Sequence, residues 1–373
     1  MTIRAGILGT GWIATEHANA LRSLPGVELA GVASGSAGRA KDFARGHGAV
    51  KAFGGYQDLI ESDEVDVVHV CTQNALHHGQ CLLALRSGKH VVAEKPLALS
   101  AQQSRELLET AATGNRVRAC NYNYRAYPAV QEARRLVGSG ELGELYLVRG
   151  TYIQDWLLHA WDYNWRLDPA ASGPSSAMAD IGTHWFDIVE HVTGQRAVWV
   201  DARLRTAVPE RIEKTANGER RHRISGDDSA VVGFEMAGGA LGSVVVSQVS
   251  AGRKNHLTFE LSCAKASISW SQEDPDQLWI GHRDHANSVR LRDGAMSAEV
   301  VLPPGHPFGW RDALQRNLES VYAGINGELP AVPFATFADG HRSMVLLEAV
   351  LRSSVDRAEV SVLEAADASV LTD

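Results

Sequence analysis

The sequence predicts a doubly wound parallel α/β domain followed by an α+β domain that carries a large, mostly antiparallel open sheet. Three observations lead there. Over residues 1–125, short β-branched runs alternate with helical stretches of roughly ten residues, as in strands covered on both faces by crossover helices. The first run ends in a glycine turn that opens into a helix. After Gly143, apolar and polar positions alternate with period two, as in a sheet with one buried face. A chain of 373 residues is too long for one ordinary core. The change of pattern puts the domains at 1–125 and 126–373, with late helices over 310–325 and 336–354 packing back onto the first.

In order, Thr2 to Leu8 form the first strand, the chain turns at Gly9-Thr10-Gly11, and a helix starts at Trp12-Ile13-Ala14. This is the G-x-G-x-x-A spacing of a dinucleotide-binding βαβ unit, the first half of a Rossmann domain. Gly9 permits the tight turn, Gly11 lets the backbone approach a pyrophosphate, and Ala14 lets the helix lie on the strand. The unpaired N–H groups and positive end of that helix then face the phosphates, so Gly9, Gly11, Trp12 and Ile13 are expected at the cofactor. Val27 to Ala33 is the second strand and Arg39 to Arg45 the next helix, with no carboxylate between Glu28 and Asp42. An acid there usually binds the adenosine ribose of NAD. The loop instead offers hydroxyls and a guanidinium, so the expectation leans to NADP(H) over NAD(H), with Ser34 and Arg39 as contacts. A capping serine and a solvated arginine explain the same residues nearly as well.

The alternation continues with a helix at Tyr56–Ser62, a strand at Val65–Cys71, a helix at Ala75–Ser87 and a strand at His90–Ala93. A helix at Ala101–Ala112, a strand at Val117–Asn121 and a helix at Ala129–Val137 follow. In the second domain Leu145–Tyr152 reads as a strand and Ala177–Val192 as one strong helix. Strands are then expected at Trp199–Val208, Ser229–Glu235, Leu241–Val249, Leu257–Ser262 and Ala266–Trp270, and helices at Trp310–Ile325 and Thr336–Ser354. One face of this sheet is left to be covered by another subunit.

Composition narrows the function. Apolar residues make up 45% of the chain and charged residues 21%, ordinary for a globular protein. The 36 basic and 44 acidic residues give a net charge of -8 with no basic tract, which argues against nucleic acid and anionic membrane as partners. No apolar run suits a membrane span, and the N-terminus enters a strand and not a leader, so a cytoplasmic protein is expected. Cys71, Cys81, Cys120 and Cys263 contain no C-x-x-C pair, so neither a disulfide framework nor a zinc knuckle is indicated.

Three stretches carry chemistry. Cys71-Thr72-Gln73-Asn74-Ala75-Leu76-His77 leaves one parallel strand and Glu94-Lys95-Pro96 the next, at the strand ends where open α/β sheets bind ligands. A lysine there is unusual, because burying an ammonium without a partner costs several kcal/mol. In Asp180-Ile181-Gly182-Thr183-His184-Trp185-Phe186-Asp187, positions 180, 184 and 187 share one helix face. A metal site would want more converging ligands, and a capped helix start with a core histidine is the bland alternative. Tyr152, Asp155, Trp156, Trp161, Tyr163, Trp165 and Arg166 mix aromatic faces with polar groups, as a small-ligand pocket or as domain and subunit packing would. His306 and Trp310, ahead of a late helix, are further candidates to close a pocket.

Over essentially its whole length the chain resembles the glucose-fructose oxidoreductase, inositol dehydrogenase and rhizopine-catabolism (Gfo/Idh/MocA) family. The resemblance rests on Gly9-Thr10-Gly11-Trp12-Ile13-Ala14, Cys71-Thr72-Gln73-Asn74 with His77, Glu94-Lys95-Pro96, and Asp180 with His184, in the family's order and spacing. Gln73 departs from it, where the family often has proline. The resemblance implies an N-terminal Rossmann domain, a C-terminal open-sheet domain that often mediates dimers or tetramers, and oxidation or reduction of a sugar, anhydrosugar or cyclitol carbon. Lys95 is then similar to the family lysine that contacts nicotinamide ribose and substrate hydroxyl, Asp180 to the aspartate that binds substrate, and His184 to the general acid/base. Thr72, Asn74, His77 and Glu94 look like nicotinamide-side contacts, and Asn123 resembles the polar residue at the exit from the Rossmann domain. Trp165 and Arg166 are assigned to cofactor as well as substrate.

The chemistry agrees from the residues upward. A hydride leaves a secondary alcohol only as the hydroxyl proton is taken, which His184 is suited to do. Lys95 would stabilise the developing negative charge. A non-catalytic dinucleotide-binding regulator and an NAD-dependent glycosidase are the alternatives. A regulator has no need of the Lys95, Asp180 and His184 set, and a glycosidase would cleave a glycoside without net change in nicotinamide.

Overall fold

The computed structural model describes residues 2–112, 114–293, 296, 302–303 and 305–362. It comprises two compact units, residues 1–126 with 309–344, and residues 127–308 with the chain from Val345 onward.

The first unit is built on six parallel strands. They are β1 (Ile3–Leu8), β2 (Val27–Ala33), β3 (Lys51–Ala52), β4 (Val67–Val70), β5 (His90–Ala93) and β6 (Arg118–Cys120), in the order β3-β2-β1-β4-β5-β6. The crossovers are α1 (Trp12–Arg22), α2 (Ala37–His47), α3 (Tyr56–Glu61), α4 (Asn74–Arg86) and α5 (Ala101–Ala111). Successive strand residues point to opposite faces, so each strand feeds two cores. Val68 and Val70 pack with Leu59, Cys81 and Leu107 on one face. Val67 and Val92 pack with Ala14, Ala18, Leu21 and Phe43 on the other. The continuous apolar strands thus reflect burial on both sides. A 3₁₀ turn, Asn123–Ala126, ends this part of the unit.

The second unit opens with α6 (Pro128–Gly138), β7 (Leu145–Ile153) and the short α7 (Pro169–Ser172). The single helix expected over 177–192 is α8 (Thr183–Thr193) preceded by a π-helical turn, Met178–Gly182. Then come β8 (Ala197–Arg205), β9 (Glu210–Thr215), β10 (Gly218–Arg223), β11 (Ser229–Met236), β12 (Leu241–Ser247), β13 (His256–Cys263), β14 (Ser267–Ser271), β15 (Asp274–Gly281) and β16 (Ser288–Leu291). The expected 199–208 run stops at Arg205, and the hairpin of β9 and β10 follows it. With β17 (Val360–Ser361) at one edge, the large sheet has the order β16-β15-β14-β13-β7-β12-β11-β8-β17, and its pairing is antiparallel except for β12 with β7, which is parallel. On its covered face Phe234 meets Trp185 and Phe186 of α8, with ring centroids 5.7 and 5.3 Å apart.

The C-terminal part contributes α9 (Trp310–Ile325), α10 (Phe337–Asp356) and β17 (Val360–Ser361). Leu314, Leu318 and Val321 of α9 join the core over α1. Cys120 N–H donates to the Ala335 carbonyl at 2.9 Å, and Arg125 pairs with Asp339 at 3.1 Å. These contacts explain why residues 309–344 count with the N-terminal unit, where the sequence reading drew the second domain as 126–373 with both late helices packing back onto the first. The far end of α10 serves the second unit, where Ser353 and Ser354 hydroxyls accept from the Ala202 and Leu204 amides. Among the described residues no helix is long and apolar enough to cross a membrane.

Candidate active site

In the first unit the predicted cofactor residues gather at the carboxyl ends of the strands. β1 pairs with β2 and β4, and β4 with β5, so the turns after Leu8, Ala33, Val70 and Ala93 lie in a row. Gly9 has φ +106°, and a Cβ there would stand 2.5 Å from the Cys71 carbonyl oxygen. Only glycine fits. Gly11 differs, because no atom lies within 4 Å of where its Cβ would be. It is the N-cap of α1 and supplies no side-chain acceptor, whereas Ser36 and Ser100 cap α2 and α5. The leading N–H groups of α1 therefore have no side-chain cap at a positive helix end, which fits a dinucleotide pyrophosphate. Trp12 is 62% exposed and leans on Trp310 with ring centroids 5.0 Å apart, while Ile13 is half-buried.

Ser34 Oγ lies 3.5 Å from Thr10 Oγ1 and accepts from the Ser36 amide at 3.4 Å. Ser36 Oγ in turn accepts from the Arg39 amide, and the Arg39 side chain is exposed. Thr72 O–H donates to Gln80 Oε1 at 2.7 Å. The buried His77 ring stands between the carbonyls of Pro96 (2.8 Å) and Thr72 (3.1 Å), so it braces the turns after β4 and β5. Burial pulls its pKa down, although both carbonyls push back. Asn74 opens α4, and Asn123 is buried in the 3₁₀ turn with its Nδ2 lacking an acceptor among the described residues.

Glu94 turns inward, where the sequence reading expected a cofactor contact. Its Oε1 accepts from Asn121 Nδ2 at 2.6 Å and meets His17 Nε2 at 2.9 Å. His17 Nδ1 lies 2.8 Å from His69 Nδ1, and His69 Nε2 lies 2.9 Å from the Tyr322 hydroxyl. Burial and the neighbouring His17 hold His69 well below its ordinary pKa, so its ring is neutral. Burial alone would raise Glu94, but the His17 and Asn121 hydrogen bonds and Lys95 bring it below the usual carboxylate range. Glu94, ionised, accepts from His17 Nε2–H, and the line of contacts continues through both nitrogens of each ring to the Tyr322 hydroxyl. This chain ends beside Lys95, whose peptide bond to Pro96 is cis.

In the second unit, Asp180 lies in the π turn and His184 in the first turn of α8, and His184 is 7% exposed. Asp180 Oδ1 is 3.3 Å from Arg166 Nε, and Oδ2 accepts from Gln248 Nε2 at 2.9 Å. The Arg166 guanidinium sits 4.5 Å over the Trp165 ring. Tyr152, its ring 6.4 Å from that of His184, donates its hydroxyl to Asn255 Oδ1 at 2.8 Å. Trp165, Arg166, Asp180, His184, Tyr152 and Gln248 thus form one cluster. Other candidates are engaged elsewhere. Asp155 pairs with Lys254 at 2.6 Å, a contact that holds its carboxylate below the usual range. Trp156 and Trp161 are more than half exposed, and exposed His306 gives its carbonyl to Arg292. Among the described residues no group of three or more His, Cys, Asp or Glu could hold a metal ion.

Sequence reasoning missed His17, Gln248 and the β9–β10 hairpin. Two had signals. Asn217-Gly218 is a hairpin turn pair, and His17 interrupts the Ala14, Ala18, Leu21 stripe of α1.

Residues 3–122 match an oxidoreductase family with an NAD-binding Rossmann fold, and residues 130–269 match the GFO/IDH/MocA C-terminal domain. Levoglucosan dehydrogenase of Pseudarthrobacter phenanthrenivorans is 28% identical over 327 residues, 82% of this chain and 82% of that protein. Trans-1,2-dihydrobenzene-1,2-diol dehydrogenase of Bos taurus is 31% identical over 249 residues, 66% of this chain and 68% of that one. A structure of levoglucosan dehydrogenase in complex with NADH and L-sorbose matches with a TM-score of 0.90 at 26% identity, covering 97% of this chain and 99% of that one. The chain is accordingly a member of the Gfo/Idh/MocA family of oxidoreductases, with an NAD-binding Rossmann domain and the family's C-terminal domain.

Proposed function

We propose that this oxidoreductase transfers hydride between a nicotinamide dinucleotide and a secondary alcohol or ketone carbon of a sugar, anhydrosugar or cyclitol. The observation that carries the reading is the cluster around Asp180. A carboxylate held by Arg166 and Gln248, one turn from a buried histidine, suits recognition and deprotonation of a hydroxyl. The relatives named for levoglucosan support the substrate class.

Gly9, Gly11, Trp12, Ile13, Thr72, Asn74, His77 and Asn123 would hold the dinucleotide, which supplies a hydride acceptor or donor when bound. In oxidation His184 takes the hydroxyl proton, Lys95 stabilises negative charge on that oxygen, and Asp180 orients the sugar. Glu94 acts behind Lys95, because its carboxylate is already occupied by His17 and Asn121.

The preference for NADP(H) rests on Arg39 and the missing carboxylate after β2. The NADH complex of the relative favours NAD(H) instead. Self-association through the second unit's sheet is also part of the reading. Trp199, Val231, Leu241, Val245 and Leu147 share one face by register and are 38–60% exposed. A cytoplasmic location agrees with the four free thiols.

A panel of sugars and polyols, run with NAD and NADP while nicotinamide absorbance is followed, tests the function. Lys95→Ala and His184→Ala are expected to lower turnover by ~10²-fold or more with the fold intact. Wild-type rates in both would remove the mechanism, and glycoside cleavage without cofactor consumption would replace it with glycosidase chemistry. In the same panel, Arg39→Ala weakens NADPH more than NADH if Arg39 reads the 2′-phosphate, and both equally if it does not.

A further inference from the structure

Two adjacent acids in the second unit, Asp227 and Asp228, reach in different directions, and neither belongs to the cluster around Asp180. Asp227 is 5% exposed. Its Oδ1 accepts from the Ser175 hydroxyl at 2.7 Å and the Ser176 amide at 3.0 Å, and its Oδ2 from the Met178 amide at 2.8 Å. Its backbone carbonyl accepts from the Ala177 amide at 3.0 Å. Four contacts thus fall on the start of the π turn that presents Asp180 and leads into His184. Burial raises this carboxyl above the usual carboxylate range, although the hydrogen bonds from Ser175, Met178 and Ser176 pull against it.

Asp228 is 1% exposed and accepts from the Ala207 and Val208 amides at 2.8 and 2.9 Å, which holds the chain entering β9. Arg211 of β9 is fully buried, with Nη2 3.8 Å from Asp228 Oδ2, an ion-pair distance. Its Nη1 points the other way. It donates to the carbonyls of Leu157 (2.5 Å) and His159 (2.7 Å), with the Asp162 carbonyl at 3.5 Å, while the Ile212 amide donates to the Ala160 carbonyl at 2.7 Å. The arch bound in this way, residues 157–162, runs between Trp156 and Tyr163. Tyr163 stacks on His222 of β10 with ring centroids 4.0 Å apart.

Gln248 closes the circuit. Its amide donates to the Asp228 carbonyl at 2.9 Å, its carbonyl accepts from the Leu157 amide at 3.0 Å, and its side chain donates to Asp180. A buried guanidinium spent on carbonyls of one irregular segment is a costly way to hold a surface loop. It is economical when that segment must keep a defined position beside a reacting group.

We infer that Asp227, Asp228 and Arg211 are positioning residues: Asp227 sets the helix start that carries Asp180 and His184, and Asp228 with Arg211 sets the 157–162 arch, which bears on sugar binding through Gln248 and Asp180. The inference deepens the reading under Proposed function and rests on it for the roles of Asp180, His184 and the arch. The two arms are separable, because the acids act on different segments.

The test combines kinetics with amide hydrogen exchange on the full chain. Arg211→Met and Asp228→Asn should raise KM for the sugar ~10-fold or more, with kcat within about threefold and the cofactor KM unchanged; both should speed exchange at 157–162, and Asp228→Asn at 207–208 as well. Asp227→Asn should lower kcat ~10-fold with KM little changed, and speed exchange at 176–180 only. Arg211→Lys, which keeps the charge against Asp228, should fall between Arg211→Met and wild type, and it serves if Arg211→Met does not fold. Equal losses of kcat and KM effects in all variants, or exchange that rises throughout the second unit, would show general structural support and overturn the inference. If the wild-type protein turns over no sugar or polyol with either cofactor, the proposed function fails by itself. The exchange pattern then still decides whether the acids hold two separate segments.

Discussion

At the scale of single residues, charge inside the first unit is controlled by hydrogen bonds whose direction is set. Glu94 stays ionised because His17 and Asn121 both donate to one oxygen, and His69 with Tyr322 holds the His17 ring in place behind it. Removing one member strands a buried charge. His17→Leu leaves Glu94 with Asn121 alone and breaks the link to His69, so a loss of about 3 kcal/mol is expected in denaturant unfolding. A change under 1 kcal/mol would mean that Glu94 does not depend on the chain. From sequence, Glu94-Lys95-Pro96 stood out by its position after a buried strand. The direction of Glu94 did not, since its partners come from α1, β4, the exit of β6 and α9, and no local pattern joins residues 17, 69, 121 and 322.

At the scale of elements, the turn between β1 and α1 holds two glycines with different jobs. Gly9 is required by the fold, for its φ is +106° and the Cys71 carbonyl crowds its Cβ position. Gly11 has open space around it and φ -80°, so the fold accepts a side chain there. Gly9→Ala should therefore destabilise the protein by about 1–3 kcal/mol. Gly11→Ala should melt near wild type while weakening dinucleotide binding ~10-fold or more, as titration of the nicotinamide cofactor would show. Equal melting temperatures for the two variants would contradict this division. The π turn at Met178–Gly182 was not visible in a pattern that scored the whole stretch as α-helix, because it follows from the four contacts around Asp227, which lies far along the chain.

At the scale of the whole molecule, several buried histidines make stability depend on pH in one direction. Burial, together with Arg116 beside His90 and with Arg105 and Arg342 near His341, lowers both rings from 6.5 to about 4. His90 Nδ1 accepts from the Val117 amide, a bond that protonation would break. In the unfolded chain these rings bind protons below pH 6.5, while in the folded chain they do not until about pH 4. The unfolded state gains as pH falls through that window, so the stabilising contribution is complete above pH 6.5 and fades towards pH 4. The melting temperature should be lower at pH 5 than at pH 7, and His341→Asn should flatten the difference. A flat profile in the wild-type protein would show that these rings titrate normally.

The sequence by itself determined both sheet types, the glycine turn, the two strand-end motifs and the helix bearing Asp180 and His184. Each is written in a local period, a steric requirement or a short motif. Tertiary structure alone decided that Glu94 faces inward, that Trp310 lies against Trp12, that Arg166 and Gln248 hold Asp180, and that Arg211 reaches the Leu157–Asp162 arch. Those partners are brought together by the order of strands in a sheet and by helix packing. A buried polar group pairs with whatever donor or acceptor that packing sets beside it, at any distance along the chain.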